Sequence, residues 1–103
     1  MIHELKIREA WFDRVQAGEK RAEVRKHDRD FQVGDTLHLI RVNDVGSRPS
    51  RWVPPGRDSQ GRFASGGYVY DEPITARVTH VLPSGHAVGL TDGYVLLSIE
   101  VTR

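Results

Sequence analysis

The sequence predicts a mainly β fold with one or two short helices, an α+β chain curling into a small β-barrel of five to six strands. Three observations predict it. Apolar and polar residues alternate over successive short runs, one early stretch carries helical spacing instead, and Gly- and Pro-rich turns separate the runs. A closed or nearly closed barrel is expected because short antiparallel strands otherwise leave unpaired backbone along their edges, with a plain α+β sandwich as the alternative.

The elements follow in order. His3 to Arg8 sets Leu5 and Ile7 on one face and Glu4, Lys6 and Arg8 on the other, the period-2 pattern of a half-buried strand. Ala10 to Ala17 spaces Trp11, Phe12 and Val15 as a helical stripe, assigned to the core, and Gly18 supplies the C-terminal cap. Arg21 to His27 alternates again, Ala22 and Val24 against Arg21, Glu23, Arg25 and His27, and predicts a second strand. Asp28-Arg29-Asp30 and Val33-Gly34-Asp35 turn the chain into a third strand, Thr36 to Val42. Residues 43–67 read as an inserted Arg-, Gly- and Pro-rich loop, long enough to hide a hairpin. Tyr68 to Tyr70, Ile74 to Leu82 and Tyr94 to Val101 are the remaining strands. In the last of these Val95, Leu97, Ile99 and Val101 share one face.

Length and composition bound the class. A chain of 103 residues, 38% hydrophobic and 28% charged, suits one folded domain over residues 1–103 with a single core. With no cysteine the fold has neither disulfides nor a thiolate zinc site, which fits a reducing, cytoplasmic setting. No apolar run approaches a bilayer span, so no membrane partner is expected. A net charge of +1 excludes the strong field of a basic tail, but the charge is polarised. Residues 41–67 hold five arginines against two aspartates, whereas the chain from Asp71 onward is acidic on balance.

The densest candidate for chemistry is Gly18-Glu19-Lys20-Arg21-Ala22-Glu23-Val24-Arg25-Lys26. A capping glycine there delivers a lysine onto a strand carrying Glu23 and Arg25 on one face. Lysine supplies a point charge for phosphate, arginine a planar fork for phosphate or a base edge, and glutamate an acceptor for an exocyclic amine. The plainer reading is a set of solvated strand charges, with Glu23 loosely paired to a neighbour. In the middle loop, arginines including Arg51 alternate with Trp52, Phe63, Tyr68 and Tyr70, the mixture that single-strand binders use. The plainer reading of that segment is a solubilising insertion whose Trp52 folds back on the barrel. Tyr94 opens the last strand, either covering a barrel edge or reaching a ligand with its hydroxyl. The five histidines lack ligand spacing, and no Walker or dinucleotide-binding glycine pattern occurs, so neither metal nor cofactor is expected.

The spacing Gly18-x-Lys20-x-x-Glu23-x-Arg25 resembles the signature of ASCH domains, a branch of the PUA-like superfamily of small β-barrels linked to RNA. The wider frame agrees: His3-Glu4-Leu5-Lys6, Arg25-Lys26 followed by Asp28-Arg29-Asp30-Phe31, Val33-Gly34-Asp35, and Gly93-Tyr94-Val95 with Leu97-Ser98-Ile99. These pieces are similar to a small, uncharacterised ASCH-like family of bacteriophages and bacteria, over nearly the whole chain except the middle loop. The resemblance implies a cleft beside the helix, with Lys20, Glu23 and Arg25 as ligand contacts. Lys26, Arg29 and Tyr94, and Arg51 and Trp52 of the middle loop, to which the resemblance does not extend, are further candidates for the nucleic-acid surface by residue type. The resemblance also implies a partner that is RNA or a modified nucleoside, with DNA possible. Some ASCH proteins are enzymes. One branch deacylates acetylated cytidine with the motif lysine, a threonine three residues later and a downstream glutamate; another is reported as a ribonuclease. Here Glu23 replaces that threonine and the downstream glutamate has no recognisable counterpart. Three functions therefore stay open. They are an RNA-binding module, a hydrolase with Lys20 and Glu23 as acid and base, and a protein-interaction module using the middle loop.

Overall fold

The computed structural model describes residues 1–86 and 89–102. Strand β1 (Ile2–Arg8) runs directly into helix α1 (Glu9–Gln16), followed by β2 (Ala22–Lys26) and β3 (Thr36–Val42). Four short strands come next, β4 (Ser50–Val53), β5 (Gly56–Arg57), β6 (Phe63–Ala64) and β7 (Gly67–Tyr70). Strand β8 (Ile74–Pro83), a 3-10 turn at Ser84–His86 and β9 (Tyr94–Val101) complete the chain.

The main sheet has five strands in the order β1-β3-β8-β9-β2. β1 lies parallel to β3, with Leu5 opposite Leu39, and every other pairing is antiparallel. The alternation in the sequence decides which residues face inward. Leu5 and Ile7, Leu37 and Leu39, Ile74, Ala76 and Val78, and Val95, Leu97 and Ile99 form one buried cluster, joined by Phe12 and Val15 of α1. Each buried Leu, Ile, Val or Phe side chain contributes roughly 1.5–3 kcal/mol by leaving water, which is what holds the short helix to the sheet. Phe31, from the turn after β2, is also buried in this core.

The sheet curls into a half-barrel and does not close, so of the closed or nearly closed barrel expected from the strand count the curled β-rich sheet is present and full closure is not. Its two edge strands, β1 and β2, share no ladder. Arginine side chains span the seam instead: Arg25 Nη2 donates to the Lys6 carbonyl at 2.5 Å and Arg29 Nη1 to the Glu4 carbonyl at 3.4 Å. Edge carbonyls that closure would satisfy with backbone N–H groups are thus met by guanidinium.

Residues 43–67 contain regular structure as well as turns. β4 pairs with β7 and β5 with β6, making an arm of two successive two-stranded ribbons outside the main sheet. Pro54-Pro55 and Ser65-Gly66 break the ladder between them. Gly66 is forced there, since a Cβ would lie 2.8 Å from the Val53 carbonyl oxygen and 2.7 Å from the Pro55 ring. The arm lengthens the molecule to 56 Å, against 28 and 24 Å in the other directions. Its Cα radius of gyration is 16.9 Å, where a compact chain of this length has roughly 13 Å. At its base Arg41 pairs with Asp71 at 3.2 Å and Arg48 donates to the Asp71 carbonyl at 2.9 Å.

A polar cluster pins the opposite side of the core. Asp35 is buried and accepts from the Gln32 backbone N–H at 3.0 Å, while its Oδ2 lies 2.8 Å from His3 Nε2. An ionised carboxylate only accepts, so the His3 ring is the donor of that pair. The His3 hydrogen bond, followed by that from Gln32, holds the Asp35 carboxyl at about 2, below its ordinary 3.8.

Candidate functional site

The end of α1 fixes the first residue of the site. Gly18 takes the left-handed conformation at φ 80°, and the Gly18 N–H bonds to the Val15 carbonyl while Glu19 N–H reaches back to Arg14. This pair of bonds is a Schellman cap, which turns the chain sharply off the helix. Lys20 N–H also bonds to the Arg14 carbonyl, so Lys20 is held one step beyond the cap, at the entry to β2.

β2 then presents its charges on the unexpected face. Glu23 stands opposite Leu97 and Arg25 opposite Val95, both fully buried, so the charged residues lie on the core side and Val24 is half exposed. The plain reading of Glu23 and Arg25 as solvated strand charges does not hold. A carboxylate only 7% exposed is costly unless it is paired, and Glu23 is paired at both oxygens. Lys20 Nζ lies 2.8 Å from Oε1 and Arg25 Nη2 lies 2.9 Å from Oε2. Lys20 also donates to the Ala22 carbonyl, and Arg25 crosses the seam to Lys6 as described above. The three side chains form one connected group carrying a single net positive charge. Within it Arg25 Nε is buried without a hydrogen-bond partner.

The group opens onto a cleft of about 480 Å³ along the seam, walled by Lys6, Arg8, Trp11, Lys20, Glu23 and Arg25. That volume falls within the range of small-molecule sites. Trp11 is the correction here. Expected in the core, it is 47% exposed and forms an aromatic wall of the cleft, with the Arg14 guanidinium 5.4 Å from its ring centroid. Its place follows from the helix itself. On the wheel Trp11 lies between Val15 and Arg14, at the margin of the apolar stripe, while Phe12 and Val15 fill the core. That marginal position was the signal available in the sequence.

The other candidate residues lie elsewhere. Lys26 and Arg29 line a small neighbouring hollow with Leu5 and Phe31, and Arg25 borders both depressions. Tyr94 stands opposite Lys26 and is 39% exposed, but it does not line the cleft. Arg51 and Trp52 belong to the arm, where their alternation along β4 puts them on opposite faces. Among the described residues no three His, Asp or Glu side chains converge as metal ligands, and no helix is long and apolar enough to cross a membrane.

Two likenesses to known proteins bear on this geometry. The family model described as "Domain of unknown function (DUF3850)" matches residues 2–99, which include the arm, the helix cap and β2. The chain is also similar to the "Uncharacterized 12.9 kDa protein in GpA 3'region" of Escherichia phage P2, at 55% identity over 38 residues. That match covers 37% of this chain and 35% of the phage protein's length.

Proposed function

Because this chain belongs to the DUF3850 family of domains of unknown function, we propose its function from the cleft: an RNA-binding module of the ASCH type, within the PUA-like superfamily. In this reading Lys20 and Arg25 take phosphate oxygens or the acceptor edge of a base, and Glu23 holds the two cations in place. Trp11 offers its ring face to that base.

What supports the reading most is the convergence of Lys20, Glu23 and Arg25, with an exposed tryptophan, on one cleft of nucleoside-compatible size. Both Glu23 oxygens are already engaged, so the groups directed at a ligand are donors. Donors and a net positive charge suit phosphate and carbonyl-rich base edges. A planar ring beside them suits an unpaired base, the form in which RNA sequence is read.

A hydrolase acting on RNA or a modified nucleoside is the second reading. The placing of Lys20 and Glu23 at one concave site favours it, since a proton donor and a proton acceptor there are both within reach of one bound substrate. The engagement of both Glu23 oxygens by cations favours a positioning role for that carboxylate, so binding ranks first.

The test is fluorescence anisotropy with a labelled RNA hairpin, its duplex stem alone and a single-stranded DNA of the loop sequence, each at low and high salt. The wild type is expected to prefer the hairpin. Lys20→Ala should weaken it about tenfold and flatten the salt dependence by the equivalent of roughly one phosphate. Absence of binding to all three probes would refute the proposal, and cleavage or deacylation lost in Lys20→Ala would establish the second reading.

A further inference from the structure

The arm carries an aromatic surface that neither the fold nor the cleft uses. In the β4–β7 register Trp52 stands opposite Tyr68 and Ser50 opposite Tyr70, so three rings share one ribbon face, while Arg51 and Val69 share the other. Trp52 is 56% exposed, Tyr68 73% and Tyr70 53%, and none belongs to the core cluster. Trp52 and Tyr68 meet edge to face with centroids 5.4 Å apart, and the Arg48 guanidinium lies 4.7 Å from the Tyr70 centroid.

A contiguous exposed aromatic face marks a binding surface, and its chemistry selects the occupant. Along β7, Tyr68 and Tyr70 are two residues apart, roughly 7 Å at the rise of a strand. That spacing presents successive rings to bases splayed from an extended backbone. From residue 48 to residue 70 the arm has Arg48, Arg51, Arg57 and Arg62 against Asp58 alone, and Arg62 is the arginine that pairs with it. The aromatic face is thus edged by Arg48 on an arm with an excess of positive charge, while Arg51, Val53 and Val69 are turned to the other face of the ribbon. This composition complements a polyanion whose unpaired bases can stack on the rings.

We infer that the Tyr68-Trp52-Tyr70 face, edged by Arg48, is a second nucleic-acid site, one that takes an unpaired polynucleotide strand by base stacking. The site goes beyond the cleft reading and stands independently of it. Stacking on rings is tolerant of sequence because every base has a π face. The arm is therefore a grip, while the cleft is the place of recognition.

The experiment uses the full chain with Trp11→Phe, which leaves Trp52 as its one tryptophan. Oligo(U) and oligo(dT) of equal length are titrated while Trp52 emission and oligonucleotide anisotropy are followed. Saturable quenching is expected with both. In the wild-type background Tyr68→Ala combined with Tyr70→Ala should lower oligonucleotide affinity roughly ten- to a hundredfold, with an unchanged melting transition. Lys20→Ala, which disables the cleft, should leave oligo(U) quenching of Trp52 in place, so loss of one site is distinguishable from loss of the other. Quenching by oligo(U) alone would assign the site to RNA. Unchanged Trp52 emission with both polymers would overturn the inference. So would concentration-dependent dimerisation in sedimentation that the double variant abolishes, since the face would then belong to a second copy of the chain.

Discussion

The cleft and the arm hold the same kinds of residue in opposite states. In the cleft the charges are sunk on the core side of β2 and spent on one another, with Glu23 only 7% exposed between Lys20 and Arg25. In the arm the aromatic residues stand in solvent on a two-stranded ribbon that contributes nothing to the buried cluster. Burial is what separates the two regions: the core holds the cleft group in one arrangement, whereas the rings of the arm are fixed only by their own ribbon. Under the two proposals above, the first would select a ligand and the second would hold one whatever its sequence.

The sharpest way to break this contrast is to remove the anionic centre of the cleft. Glu23→Ala leaves Lys20 and Arg25 without their shared partner on the core side of the sheet, and should cost roughly 3 kcal/mol in urea unfolding. Glu23→Gln keeps one acceptor and should cost less. If Glu23→Ala were as stable as the wild type, the cleft group would be no more integral to the fold than the arm.

Next in size is Asp35. Its carboxyl is held at about 2, below the ordinary 3.8, so the folded state keeps this proton off more strongly than the unfolded chain does. The associated stability is complete above about 3.8 and is lost as pH falls toward 2. Asp35→Asn should cost about 1.5–3 kcal/mol at neutral pH and should make acid unfolding less steep in that window. An acid-unfolding curve unaltered by Asp35→Asn would contradict the role given to the His3 contact.

The smallest effect belongs to the arm. Trp52→Ala or Tyr68→Ala should change global stability by less than about 0.5 kcal/mol, because each removes a ring already largely in water. A larger loss would mean that the arm is structural. The stability of Trp11→Phe sharpens the same comparison, since Trp11 bridges the two environments as a half-exposed ring on a core helix.

The sequence made the frame legible where burial follows a simple period. Leu5 and Ile7, Ile74, Ala76 and Val78, and Val95, Leu97 and Ile99 all alternate into the core as expected, and the Gly18 cap stands where the helical stripe ends. β2 defeated the same logic. Ala22 and Val24 look like the inward set, but the paired charges of Lys20, Glu23 and Arg25 make the opposite facing affordable, and pairing is a property of three dimensions. That the expected barrel stops short of full closure has a related reason. Arg25 and Arg29 satisfy carbonyls on the far edge, and no periodicity announces a side chain that bridges a seam. The arm was hidden by its own composition. Pro54, Pro55 and Gly66 suggest irregular chain, yet here they sit between two ribbons and leave the ladders on either side intact.

If the cleft holds a nucleotide against Trp11, as proposed, the tryptophan itself reports on it. With Trp52→Phe, Trp11 is the one tryptophan left. Its emission is followed while each ribonucleoside monophosphate, and then the RNA hairpin, is added. Saturable quenching that favours some bases over others is expected, shifted to about tenfold higher ligand concentration in the Lys20→Ala background. Emission that stays constant through every titration, in a protein whose fold is intact by circular dichroism, would contradict the proposal.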